Sequence, residues 1–142
     1  MRACFAVLLA VLAVGCSGQP YRLAPVSGKV TLNGKPLARA YVHFAPIGIR
    51  NHNPGPTSQG LTDGEGRFTL TVDQEGRPAG AVVGTSKVYI TTAGADAKDN
   101  QPDAGVKTSK ERVPARYNQD TTLTYDVPAG GTDAANFDLK AP

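Results

Sequence analysis

The residues of this chain that are best suited to hold a metal are two histidines and two acids. His43 and His52 are its only histidines, and Asp63 and Glu65 stand one residue apart in a glycine-rich turn. Zinc sites need three or four ligands at characteristic spacings, and calcium sites need more oxygens than two carboxylates supply. We therefore predict no metal and no other cofactor. Asp63 is interpreted as a turn residue that accepts hydrogen bonds from nearby backbone.

Catalytic motifs are absent from the sequence. It contains no G-x-S-x-G, H-E-x-x-H or P-loop pattern, the signatures of an activated serine, a helical zinc site and a phosphate-binding loop. A serine, a histidine and an acid can be picked from any chain, so only geometry identifies a catalytic triad. We predict that the protein is not an enzyme, and a hydrolase is the less favoured alternative.

Tyr41, His43 and Tyr89 are the candidate ligand contacts. Tyr41 and His43 alternate with Val42 and Phe44, so they fall on the outward face of a predicted strand, and Tyr89 has the same phase in another strand. A tyrosine ring offers a flat apolar surface with a polar tip, which suits stacking on a sugar or packing on a peptide. The alternative is that these are ordinary surface residues.

The first residues indicate export. Arg2 is followed by a run of twelve almost entirely apolar residues, Ala3 to Val14. A helix of this length rises only about 18 Å, well short of the roughly 30 Å hydrocarbon core of a bilayer. The run therefore predicts a removable signal peptide rather than a membrane span.

The segment Ala13-Val14-Gly15-Cys16 is similar to the lipobox of bacterial lipoproteins, although Ala13 stands where that motif usually has Leu. The resemblance implies that Cys16 is acylated, with palmitate-like chains, and that the signal is cut just before it. Cys4 and Cys16 are the only cysteines, so cleavage leaves no internal disulfide. Several acyl chains together hold a protein firmly at a membrane.

These features predict an exported protein that is lipid-anchored to the cell membrane or the outer membrane and faces the periplasm or the cell surface. Its expected partners are membrane lipid, through acylated Cys16, and an envelope protein or a glycan. Loss of Arg2 lowers the 15 basic residues to 14, against 12 acids. Because so small a surplus forms no dense basic patch, we predict no binding to nucleic acid.

We divide the chain into a signal peptide (1–15), an acylated cysteine with a short tether (16–25) and one domain (26–141). Sixteen glycines and eleven prolines separate short alternating segments, which predicts strands joined by turns. Asn33-Gly34 is the strongest hairpin signal. The segments 46–58 and 93–112 read as loops, which we expect to carry recognition. The second is long and polar, so we predict it to be the most mobile part of the domain.

Two segments, VSGKVTLNGKPLARAYVHF and LTDGEGRFTLTV, are similar to the carboxypeptidase regulatory-like domain family. The matching positions include Gly28, Gly34 and Pro36 in the first segment and Asp63 and Gly66 in the second. The resemblance covers most of residues 26–139 and implies a transthyretin-like fold with no catalytic residues. Together with about seven predicted strands, it predicts an all-β, seven-stranded antiparallel Greek-key β-sandwich of transthyretin-like or Ig-like type.

The predicted core consists of the inward-phased apolar residues of these strands. They are Val30, Leu32, Val42, Phe44, Phe68, Leu70, Val88, Ile90, Leu123, Tyr125, Phe137 and Leu139. The functional prediction is a non-enzymatic, membrane-anchored envelope lipoprotein that serves as a scaffold or binding module. The alternative is a carbohydrate- or peptide-binding module that uses the outward tyrosines and the loops.

Overall fold

The computed structural model describes residue 18 and residues 20–48, 53–95 and 110–142. Within these ranges the fold is all-β, with eleven short strands and one 3-10 helix of three residues. The strands are β1 Leu23–Ala24, β2 Ser27–Leu32, β3 Lys35–Pro36, β4 Tyr41–Pro46, β5 Ser58–Leu61, β6 Arg67–Thr69, β7 Thr71–Val72, β8 Ala81–Val82, β9 Gly84–Thr91, β10 Thr124–Val127 and β11 Phe137–Leu139, and the helix is Ala115–Tyr117.

The larger sheet has five antiparallel strands in the order β10-β9-β4-β5-β7. Along its central strands β4 and β9, successive side chains point alternately to an apolar inner face and to a more polar outer face. Val42, Phe44, Val88 and Ile90 on the inner face are completely buried. The sequence alternation predicts a strand over residues 87–91. The observed β9 is longer, because Thr85 and Ser86 also pair with β10.

The smaller sheet is built on β2, which pairs with β3, β6 and β11. The turn between β2 and β3 is the predicted hairpin, since Asn33 and Gly34 both have positive φ, at 52° and 79°. The expectation of purely antiparallel pairing is wrong for one pair of strands, because β11 runs parallel to β2. Gly28 is required where the chain before β11 crosses β2, because a Cβ there would lie 2.0 Å from the Ala135 oxygen.

The sequence alternation predicts one strand over residues 67–72, and the structure divides this segment between the two sheets. Its first half, β6, pairs with β2, and its second half, β7, pairs with β5. Between them Leu70 is buried, and its N–H donates to the oxygen of Val26. This strand therefore closes one side of the molecule, while β10 and β11 are the edge strands on the other side.

The two sheets pack through a cluster of aromatic rings. Phe137 of the smaller sheet lies 6.1 Å from Phe44 and 5.9 Å from Tyr125 of the larger sheet, between ring centroids. Nine of the twelve predicted core side chains are buried, and the remaining Leu32, Leu123 and Tyr125 pack partly buried against them. The predicted core is therefore confirmed. This arrangement is consistent with a β-sandwich, although several strands have only two or three residues.

Strand directions assign each loop to one of two ends. One end, here called the tether end, contains segments 21–26, 53–57, 73–80 and 128–133 together with Ile47. The far end contains the turns 33–34 and 63–66, the segments 92–95 and 110–113 on either side of the long polar loop, and the last residues. The predicted loops 46–58 and 93–112 thus begin at opposite ends of the domain.

Leu23–Ala24 lies in the segment 16–25 that the sequence indicated as a tether, and it pairs with β8. Cys16, His52 and residues 96–109 of the predicted mobile loop lie outside the described residues. Among the residues that are described, no helix is long and apolar enough to cross a membrane.

Candidate ligand-binding face

The outer face of the five-stranded sheet brings the three predicted contact residues together. Tyr41 and His43 project from β4, and Tyr89 projects from the neighbouring β9. His43 and Tyr89 are direct partners in the antiparallel register, which places their Cβ atoms about 5 Å apart. The ring centroids of Tyr41 and His43 lie 5.9 Å apart. These three rings, all half-buried, form the aromatic face of the protein.

Residues of β5 and β9 extend this face with other chemistry. Leu61 of β5 pairs with Tyr41 and is 42% exposed, and Gln59 pairs with His43. The ammonium nitrogen of Lys87 lies 5.7 Å from the centroid of the Tyr89 ring, a cation–π contact. The face therefore combines flat rings and an aliphatic side chain with amide and ammonium hydrogen-bond donors. These groups have the chemistry for stacking and for hydrogen bonding.

The sequence pattern did not indicate Leu61, Gln59 or Lys87 as contact residues. The sequence also predicts a short strand over residues 59–62, in which Gln59 and Leu61 have the same phase, so their shared face follows from the alternation. The sequence does not predict the strand register that pairs Gln59 with His43. The two residues are sixteen positions apart, and the loop between them leaves the register open.

His43 is held in its neutral form at neutral pH. Burial between the neighbouring side chains lowers the pKa of His43 below its usual value of 6.5, and the carboxylate of Asp73 offsets this effect only in part. A neutral imidazole has one nitrogen that donates and one that accepts. His43 can therefore give and receive hydrogen bonds at the centre of the face without adding a charge.

The turn at Asp63 is structural. The Asp63 carboxylate accepts hydrogen bonds from the backbone N–H of Glu65 and of Arg67, each at 2.9 Å. These bonds lower the pKa of Asp63. The interpretation of Asp63 as a turn residue is confirmed. The described part of the chain contains no group of three or more His, Cys, Asp or Glu side chains that could hold a metal.

Glu111 fixes the chain where the long polar segment returns to the domain. Its carboxylate accepts hydrogen bonds from the Thr91 hydroxyl, from the Thr92 N–H at 3.0 Å and from the Val113 N–H at 2.9 Å. Partial burial raises the pKa of Glu111, but these bonds outweigh it and lower the pKa to about 2. Arg112 adds a bond to the oxygen of Ala38. Residues 110–112 of the predicted mobile loop are therefore anchored to the far end.

Comparison of the chain with known protein families, with curated proteins and with solved structures finds no match. The similarity to carboxypeptidase regulatory-like domains therefore stays a prediction.

Proposed function

We propose that this protein is a non-enzymatic envelope lipoprotein, anchored through acylated Cys16, whose domain binds a ligand on the aromatic face. The single observation that supports binding most directly is the meeting of Tyr41, His43 and Tyr89 on two adjacent strands. Central strands of a sheet are rigid, so the rings are positioned before a ligand arrives. Preorganised contacts of this kind lower the entropic cost of binding.

The ligand that best fits this face is a carbohydrate. Sugar rings have apolar faces that stack on aromatic side chains and hydroxyl groups that bond to amide, imidazole and ammonium groups, and the face offers both. A peptide that bound as an added strand would instead use an unpaired edge such as β10. The two candidates therefore require different parts of the same sheet.

Binding of purified protein to arrays of envelope glycans and of peptides tests this proposal. We expect glycan binding that is lost in Tyr41→Ala and in Tyr89→Ala. It should persist in Thr69→Ala, whose exposed side chain lies on the smaller sheet. Peptide binding that is unaffected by the tyrosine changes would favour the edge strand, and glycan binding that survives both changes would contradict the proposal.

The anchor is tested separately. Acylated Cys16 is expected to hold the wild-type protein in the membrane fraction, because several acyl chains bind firmly where one does not. Cys16→Ala should move the protein to the soluble exported fraction, and mass spectrometry of the wild type should detect an acylated N-terminal cysteine. A wild-type protein that is already soluble would contradict the anchor.

The proposal includes the finer fold that the family resemblance implies, a seven-stranded Greek-key sandwich of transthyretin-like type. Two features support it: β6 and β7 form one strand that changes sheets at Leu70, and β11 returns to lie beside β2. An experimental structure of the domain tests the strand order.

A further inference from the structure

The position of the N-terminal segment limits how the domain can sit at a membrane. The N-terminal segment makes hydrogen bonds to the rest of the domain at Tyr21 and Arg22. The Tyr21 hydroxyl donates to the side-chain oxygen of Gln74 at 3.2 Å, and the backbone oxygen of Arg22 accepts from the Val83 N–H at 2.8 Å. The Tyr21 ring also covers Gly55 so closely that a Cβ on Gly55 would lie 2.9 Å from it. All of these contacts are at the tether end.

The free tether is therefore shorter than the segment 16–25. Five residue steps separate Cys16 from Tyr21, and they span at most about 18 Å in any conformation. The eight residues of β9 extend about 26 Å between the two ends of the domain. An anchor at Cys16 holds the tether end within reach of the bilayer and leaves the far end beyond it when the strands stand upright.

An exposed apolar side chain lies at the same end. Ile47 and Leu61 are the large hydrophobic residues that are exposed in the described part of the chain, at 50% and 42%. Leu61 extends the aromatic face and lies towards the far end. Ile47 follows β4 at the tether end, where its N–H donates to the oxygen of Thr85.

Among the described residues of the tether end, charge provides no net attraction to an anionic surface. Exposed Arg22 and Arg77 are balanced there by exposed Asp73, Glu75 and Asp133. A surface of mixed sign gains little from anionic headgroups. Contact with the bilayer would therefore come from the tether and from burial of Ile47, and it would be insensitive to salt.

We propose that the tether end of the domain docks on the lipid bilayer with Ile47 inserted among the headgroups, so that the aromatic face and the far end project away from the membrane. This inference rests on the proposed anchor at Cys16. It assigns the two ends different roles, one as a lipid contact and the other as the surface presented to partners in the envelope.

Site-specific labelling of the full lipidated protein in phosphatidylethanolamine–phosphatidylglycerol vesicles tests the orientation. Cleavage of the signal leaves Cys16 as the only native cysteine, and its sulfur is acylated, so a new cysteine can be labelled selectively. Ala129→Cys reports on the tether end and Glu65→Cys on the far end, and both positions are exposed. An environment-sensitive dye is quenched by a spin-labelled lipid or by aqueous iodide.

The dye at position 129 is expected to be quenched several-fold more by the lipid quencher than the dye at position 65, with the opposite order for iodide. Adding Ile47→Asp should reduce lipid quenching at 129, whereas the matched change Leu61→Asp should leave it unchanged. Equal quenching at both positions in membrane-bound protein, or no effect of Ile47→Asp, overturns the docking alone. If the wild-type protein carries no acyl group on Cys16 and does not bind the vesicles, the proposed anchor is wrong as well.

Discussion

The two faces of the larger sheet use the same strands for different purposes. On the inner face of β4 and β9, Val42, Phe44 and Val88 have no exposed surface and pack against the smaller sheet. On the outer face, Tyr41, His43 and Tyr89 lie one residue away along the same backbone and are only half-buried. Alternation alone separates the residues that hold the fold together from those available to a ligand.

The comparison shows why side chains of the outer face can be changed without loss of the fold. A β-strand directs successive side chains to opposite faces, so a change on one face leaves the packing of the other face intact. The inner face supplies the apolar burial on which stability depends, because residues 26–141 contain no cysteine that could form a disulfide. Side chains of the outer face can therefore be replaced with little loss of unfolding free energy.

The largest expected effect is the loss of stability when a residue of the inner face is replaced, compared with a residue of the outer face. Phe44→Ala removes a fully buried ring that contacts Tyr125 and Phe137, and it should cost about 3–5 kcal/mol of unfolding free energy. Tyr89→Ala should cost no more than about 1 kcal/mol, since it loses only a partly exposed ring and its contact with Lys87. Urea unfolding measures both. Similar losses for the two variants would mean that the outer face also carries the fold.

A second test concerns the buried hydroxyl groups. Thr62 donates to the oxygen of Leu37 at 2.7 Å and accepts from the Ala40 N–H at 2.8 Å. The hydroxyl of Ser86, on the inner face, is fully buried and has no hydrogen-bond partner among the described residues. Thr62→Val should therefore destabilise the protein by about 1–3 kcal/mol, because it leaves buried partners unpaired.

Ser86→Ala should instead leave stability unchanged or raise it by up to about 1 kcal/mol, because it removes an unpaired polar group from the core. Thermal unfolding of the two variants beside the wild type measures the contrast. Destabilisation by Ser86→Ala as large as that by Thr62→Val would show that the serine hydroxyl has a partner in solution.

The smallest expected effect is the pH dependence of His43. Because its pKa is lower in the folded protein than the unfolded value of 6.5, neutral His43 favours folding above that pH, and this contribution is lost as the pH falls below 6.5 through the folded pKa. Unfolding free energy measured from pH 7.5 to pH 5 should therefore decline less in His43→Gln than in the wild type. Parallel pH curves for the two proteins would contradict the burial of His43.

Much of the local structure was predictable because its causes are local. Asn33-Gly34 adopts the positive φ angles of a tight hairpin, and Asp63 binds the backbone two and four residues onward. Alternation identified the core and also the outward phase of Tyr41, His43 and Tyr89. Each of these conclusions depends only on residues that are close together in the chain.

The tertiary structure decided what depends on distant pairing. Strand register placed His43 opposite both Tyr89 and Gln59, and the division of the strand at Leu70 joined the two sheets. The sequence pattern also did not predict the parallel pairing of β11 with β2. Nor did it predict that the loops 46–58 and 93–112 begin at opposite ends of the domain. The physical reason is that alternation determines which face a residue occupies, whereas its neighbour on that face is selected by the joint burial of both sheets.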